Sequence, residues 1–97
     1  MATKYLQGTT IKAKSEFRNV GGSLVDPSAV ALKYKSPDGS ITTKTFALGD
    51  ITKDSAGVYE IYVTLSQVGN YVFRWEGSGN DGSVSETTIT VSPSQVI

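Results

Sequence analysis

Two alternating runs joined by a polar corner, Val58–Leu65 and Tyr71–Glu76, constrain the fold of this chain more than any other stretch. In the first, Tyr59, Ile61, Val63 and Leu65 share one face, and Val58, Glu60, Tyr62 and Thr64 share the other. In the second, the aromatics Tyr71, Phe73 and Trp75 stand opposite Val72, Arg74 and Glu76. Side chains of an extended strand alternate between faces, so a period of two over this length predicts half-buried β-strand.

Other segments repeat the pattern. Ile11, Ala13, Ser15 and Phe17 alternate with Thr10, Lys12, Lys14, Glu16 and Arg18, and Val30, Leu32 and Tyr34 alternate with Ala31, Lys33 and Lys35. A last strand over 85–91 turns Thr87, Ile89 and Val91 inward. Ile41–Phe46 predicts a hairpin partner whose faces stay ambiguous, because Ile41 and Phe46 have opposite parity. Ser36-Pro37-Asp38-Gly39 reads as a tight turn and Gly77–Ser83 as a hairpin tip. Leu48–Ser55 is expected to be a loop anchored by Ile51. No window has helical spacing of apolar positions, and Thr, Val and Ile are abundant, as strands prefer. These features predict an all-β chain, an immunoglobulin-like Greek-key β-sandwich of about seven strands. Residues 9–92 would form the sandwich, 1–8 an N-terminal arm able to add an edge strand, and 93–97 a tail beyond Pro93.

The corner Leu65-Ser-Gln-Val-Gly69-Asn-Tyr71 resembles the tyrosine corner of Greek-key sandwiches, in which the phenol bonds back to nearby backbone. An ordinary turn with a buried Tyr would have the same spacing. Leu65, Gly69, Tyr71 and Trp75 are accordingly the expected structural residues. Asp54-Ser-Ala-Gly57-Val-Tyr59 resembles the Asp…Tyr signature of antibody-like domains, but its spacing is one residue longer and no Cys follows. Trp75 also falls late in the chain. The architecture is therefore favoured and membership of the antibody family is not.

The chain has no histidine and no cysteine, which removes the usual general base, the usual zinc ligands and the common nucleophile pairs. Asp50 with Asp54 are the candidates for acid–base work, and the same pair or Asn80 with Asp81 for calcium. Both are read as turn-capping, since calcium wants six to eight oxygens. No catalytic residue, cofactor or metal is expected. Nine basic and nine acidic residues give no net charge, which argues against nucleic acid as a partner. No run approaches the roughly 20 apolar residues of a membrane span, and residues 1–8 lack the apolar run of a signal peptide. Tyr5, Leu6, Tyr62, Val96 and Ile97 are the candidate interface residues, with Phe46, Val72, Val20, Leu24 and Val25 as further apolar groups that could reach the surface.

The ordered pattern Asp26-Pro27, Val30-x-Leu32-x-Tyr34, Pro37-Asp38-Gly39, Ile51-Thr-Lys-Asp54, Gly57-x-Tyr59, Val63-x-Leu65 and Gly69-x-Tyr71-x-Phe73-Arg74-Trp75-Glu76-Gly77 resembles small immunoglobulin-like virion proteins of tailed bacteriophages. The resemblance spans about residues 8–92, and Arg74-Trp75-Glu76-Gly77 is its most distinctive piece. It implies a non-enzymatic decoration (cement) protein of the head, or an accessory of the neck or tail. Such a protein would be made in the host cytoplasm and held in the virion by other virion proteins, with homo-oligomers possible. The alternative is a bacterial surface or secreted immunoglobulin-like module for adhesion or carbohydrate binding.

Overall fold

A computed structural model describes residues 3–79 and 83–93. Eight strands form two sheets: β1 (Thr3–Leu6), β2 (Thr10–Glu16), β3 (Ala29–Lys35), β4 (Ile41–Thr45), β5 (Thr52–Ser55), β6 (Val58–Thr64), β7 (Gly69–Ser78) and β8 (Val84–Ser92). The larger sheet runs β1-β8-β7-β3-β4 and the smaller β2-β6-β5. This partition, with crossovers between sheets at each of the β1–β2, β2–β3, β4–β5 and β6–β7 connections, is the immunoglobulin-like sandwich.

The alternating residues become the core because each inward row meets the other sheet. Phe17, Val30, Leu32, Ile51, Tyr59, Val63, Leu65, Tyr71, Phe73, Trp75, Ile89 and Val91 form one buried cluster, with Ile11, Ala13, Tyr34 and Ile61 against its margin. Trp75 lies opposite Leu32 in the β3–β7 ladder, so the late tryptophan and a fully buried leucine share the centre of the larger sheet. Stacking of Tyr71 on Phe73, with centroids 6.1 Å apart, continues that layer toward the β6–β7 corner.

Two expectations change. There are eight strands rather than about seven, because Thr52–Ser55, expected as loop, pairs with β6. All four of its residues are exposed, so it has no apolar alternation to read, and only the β6 ladder makes it a strand. The N-terminal arm supplies an edge strand. Thr3–Leu6 pairs in parallel with Ile89–Ser92 as an edge of the larger sheet. Thr87, expected inward, is exposed, because it sits where the β2 and β8 margins part.

Candidate interaction faces and the two tyrosine anchors

The β6–β7 corner is built from backbone and one phenol. Gly69 begins β7 at φ 128°, and a Cβ there would stand 2.8 Å from the Pro37 Cβ. The close approach lets the β3–β4 turn lie on the corner. The Gln67 side chain then accepts the Asp38 N–H at 3.2 Å. Tyr71, 2% exposed, accepts the Gln67 backbone N–H at 3.0 Å, and Leu65 is fully buried beneath it. That is the tyrosine-corner geometry, with the bond reaching back four residues. Asp38 itself caps its turn through Ser40 N–H at 2.9 Å, and that bond, ahead of others, holds its carboxyl below the ordinary value.

The opposite end is tied by Asp26, in the loop before β3. After β2, Phe17 N–H donates to the Gly57 carbonyl at 2.7 Å and the Phe17 carbonyl accepts Val25 N–H at 2.9 Å. This pair of bonds delivers Asp26 to the β5–β6 turn. One Asp26 oxygen accepts Gly57 N–H at 2.8 Å and the Tyr59 hydroxyl at 3.0 Å, and the other takes Lys53 Nζ at 2.8 Å. Lys53 foremost, then the Gly57 N–H, holds the Asp26 carboxyl below its ordinary value. Burial, then Asp26, pushes the Tyr59 phenol up. The carboxylate that meets Tyr59 is thus Asp26, while Asp54, the acid of the Asp…Tyr stretch, lies 3.9 Å from Lys14. The only sequence signal for it was Asp26-Pro27 before a strand, which says nothing about what the carboxylate touches.

The outer face of the larger sheet has a line of charges at its centre: Lys33 to Glu76 at 3.3 Å, Glu76 to Arg74 at 2.6 Å and Arg74 to Glu86 at 3.2 Å. Arg74 is the main cause of the lowered Glu76 carboxyl, and Glu76 the main cause of the raised Arg74 guanidinium. On the smaller sheet Lys12 reaches Glu60 at 3.7 Å and sits 5.8 Å from the centre of the Tyr62 ring. Asp50 accepts the Thr45 N–H at 3.4 Å, so the two loop aspartates are used separately. Among the described residues, no three His, Cys, Asp or Glu side chains are grouped to hold a metal ion. An open hollow of about 330 Å³ is lined by Lys44, Asp50, Thr52, Glu60, Ile61 and Tyr62.

The candidate interface residues among those described do not gather on one surface. Tyr62 is 67% exposed on the smaller sheet and Leu6 57% exposed on the β1 edge of the larger. Tyr5 is corrected to a packing residue: its pairing with Val91 turns it against the core. Val96, Ile97, Asn80 and Asp81 lie outside the described residues. Val72 is half-buried on the larger sheet, and Val20, wholly exposed, is in the loop after β2. Ile41, at 67% exposure, and Leu48, at 79%, are apolar groups whose display the sequence did not indicate.

No protein-family model and no curated protein matches the chain. Among solved structures, CopC from Methylosinus trichosporium OB3b aligns with a TM-score of 0.62 at 14% identity, over 99% of this chain and 88% of that one. The Ig1 domain of mouse SynCAM 2 aligns with a TM-score of 0.49 at 15% identity, over 96% and 92% of the two chains. The Ig-like domain of human Leucine-rich repeat-containing protein 4 aligns at 0.43 and 15%, over 99% and 84%. At these identities the likeness concerns the fold alone.

Proposed function

We propose that this chain is a non-enzymatic virion protein of a tailed phage, a head decoration or a neck or tail accessory that docks on assembled particles. The observation that carries the docking part is the disposition of its charged groups. Asp26, Asp54, Glu60, Glu76 and Glu86 each face a Lys or Arg, and Asp38 and Asp50 cap turns. Chemistry at carboxylates needs one that is free to exchange protons with a substrate. Among the described residues, what remains available is surface: β-sheet faces, edges and exposed apolar side chains, the materials of recognition. The virion part is supported by the ordered pattern ending in Arg74-Trp75-Glu76-Gly77.

Docking through a small patch gives weak affinity per contact, and a repeating particle surface multiplies it by effective concentration. Tagged protein should therefore co-sediment with assembled heads or tails that lack it, and bind their isolated subunits poorly. Retention by neither heads nor tails, with binding to glycans or host cells instead, would replace this reading with the surface-module one.

A further inference from the structure

A strand at the margin of a sheet offers unpaired N–H and C=O groups to any chain that can match them. Most margins here are blunted. On β4, Thr45 is taken up within the chain, its N–H by the Asp50 carboxylate at 3.4 Å and its carbonyl by the Asp50 N–H at 3.2 Å. β5 is four exposed residues with an irregular register. β2 would set Lys12 against Lys14 in a two-fold pairing about Ala13, and like charges directly opposed are destabilising. The β1 margin differs. β1 covers β8 only at residues 89–92, so residues 84–88 have β7 on one side and, among the described residues, no strand on the other.

The phase of each ladder shows which backbone groups are open. Gln7 N–H donates to the Ser92 carbonyl at 2.9 Å, so Gln7 and Tyr5 face β8, and Lys4 and Leu6 turn their backbone groups to the open side of β1. Gly77 N–H donates to the Ser83 carbonyl at 2.8 Å, so Ser83, Ser85 and Thr87 face β7, and Val84 and Glu86 turn theirs to the open side of β8. Of these four open residues, Leu6 alone has a backbone group engaged among the described residues, its carbonyl accepting Thr9 N–H at 3.1 Å. The four side chains lie on the outer face. Leu6 and Val84 are more than half exposed, and Lys4 and Glu86 are exposed and opposite in charge. On the inner side, between β2 and this stretch of β8, is a hollow of about 190 Å³ whose lining includes Ile11, Ala13, Trp75, Ser85 and Thr87.

We propose that the β1–β8 margin is a self-association surface, on which β1 of each copy pairs antiparallel with residues 84–87 of the other about a two-fold axis level with Thr88. The occupant is a second copy because one register satisfies backbone and side chains together, and the two-fold repeats it. In that register Leu6 lies opposite Val84, an apolar pair, and Lys4 opposite Glu86, an opposite-charge pair. Arg74 holds Oε2 of Glu86 and leaves Oε1 to Lys4. Lys4 and Glu86 exchange two backbone hydrogen bonds, and Leu6 N–H donates to the Val84 carbonyl. Tyr5, at the margin of its own core, comes opposite Ser85 and covers the second copy's hollow. A shift of two residues one way carries Leu6 past the end of β8, and the other way runs β1 into the β1 already paired at Ile89. The two Thr3 residues stand level with Ile89 and Thr87 of the same β8, so the pairing requires both chains to leave the sheet ahead of Thr3. The two larger sheets become one. This contact is independent of what the particle-docking surface recognises, and purified protein alone reports on it.

Two short ladders sit at the small end of specific interfaces, so association is expected in the micromolar range. Sedimentation equilibrium from about 1 µM to about 1 mM should show monomer and dimer, and nothing larger, because a two-fold contact closes on itself. Lys4→Glu opposes Glu86, and Leu6→Asp removes the apolar pair. Each contact occurs twice, so each variant should weaken the dimer at least about tenfold while its melt at about 1 µM stays close to wild type. Opposed residues of a hydrogen-bonded pair have Cα atoms about 5.5 Å apart, within disulfide reach. Within one copy Lys4 is level with Thr90, roughly 13 Å along β8 from Glu86 and out of that reach. Since the chain has no cysteine, the oxidised double variant Lys4→Cys with Glu86→Cys should accumulate as a covalent dimer, and either single variant should not. A monomer throughout the concentration range would overturn the proposal. So would a folded Lys4→Glu that dimerises like wild type, or a double cysteine variant that cross-links no more than the single ones.

Discussion

Tyr71 and Tyr59 anchor opposite ends of the sandwich with hydrogen bonds of the same length, 3.0 Å, but opposite chemistry. Tyr71 accepts from a neutral backbone N–H four residues back, so its bond is local and involves no charged partner. Tyr59 donates to a carboxylate 33 residues away, which also holds a backbone N–H and an ammonium. The first closes a turn the chain makes anyway. The second fastens the loop after β2 to the β5–β6 turn, and loses its charge in acid. A neutral hydrogen bond is worth about 1 kcal/mol net and one to a charged group about 1.5–3 kcal/mol, so the Asp26 end should be the stronger tie.

The largest test of that contrast lies in the glycines beside each anchor. Gly57 has φ 74°, and a Cβ there would stand 2.9 Å from both the Phe17 carbonyl and the Val25 nitrogen, which are backbone atoms already bonded. Gly69 would meet the Pro37 ring instead, at the tip of a turn that can give way. Gly57→Val should cost about 3 kcal/mol or more, and Gly69→Val clearly less. Urea melts measure both, and equal costs would mean that the two ends are equally rigid.

Removing the phenols comes next. Tyr59→Phe should cost about 1.5–3 kcal/mol and Tyr71→Phe about 1 kcal/mol at neutral pH. Acid separates them further. Asp26 is held below its ordinary 3.8, so the folded state binds its proton less readily than the unfolded chain. The stability it contributes is fully present above that value and is lost as pH falls through the lower folded one. Asp26→Asn should therefore make the acid limb of a stability–pH curve shallower, while Tyr71→Phe shifts the curve down without changing its shape. Asp38 and Glu76 are lowered too, so the limb shrinks and does not vanish. An Asp26→Asn curve parallel to wild type would remove the charged tie from the comparison.

The smallest effect is expected at Tyr62, the phenol that anchors neither end. It is two-thirds exposed beside Lys12, and Tyr62→Phe should fall within about 0.5 kcal/mol of wild type. A loss matching that of Tyr71→Phe would mean that the ring's surroundings, not the hydroxyl bonds, set the cost at both anchors.

The sequence by itself determined the strands whose side chains alternate, the Pro37–Gly39 turn, and the corner in which Leu65, Gly69 and Tyr71 are close along the chain. Each follows from geometry repeated every two residues or closed within a few, which a linear string displays. Tertiary structure alone decided the rest. β5 is a strand because β6 offers it a ladder, and β1 is an edge because it pairs with the side of β8 that β7 does not occupy, at Ile89–Ser92. Asp26, not Asp54, meets Tyr59 because Phe17 bonds both Gly57 and Val25. Whether an apolar residue such as Tyr5 or Ile41 is hidden or displayed depends on the register of the strand it belongs to. Contacts between residues tens of positions apart depend on how two sheets cross, and no local periodicity encodes that crossing.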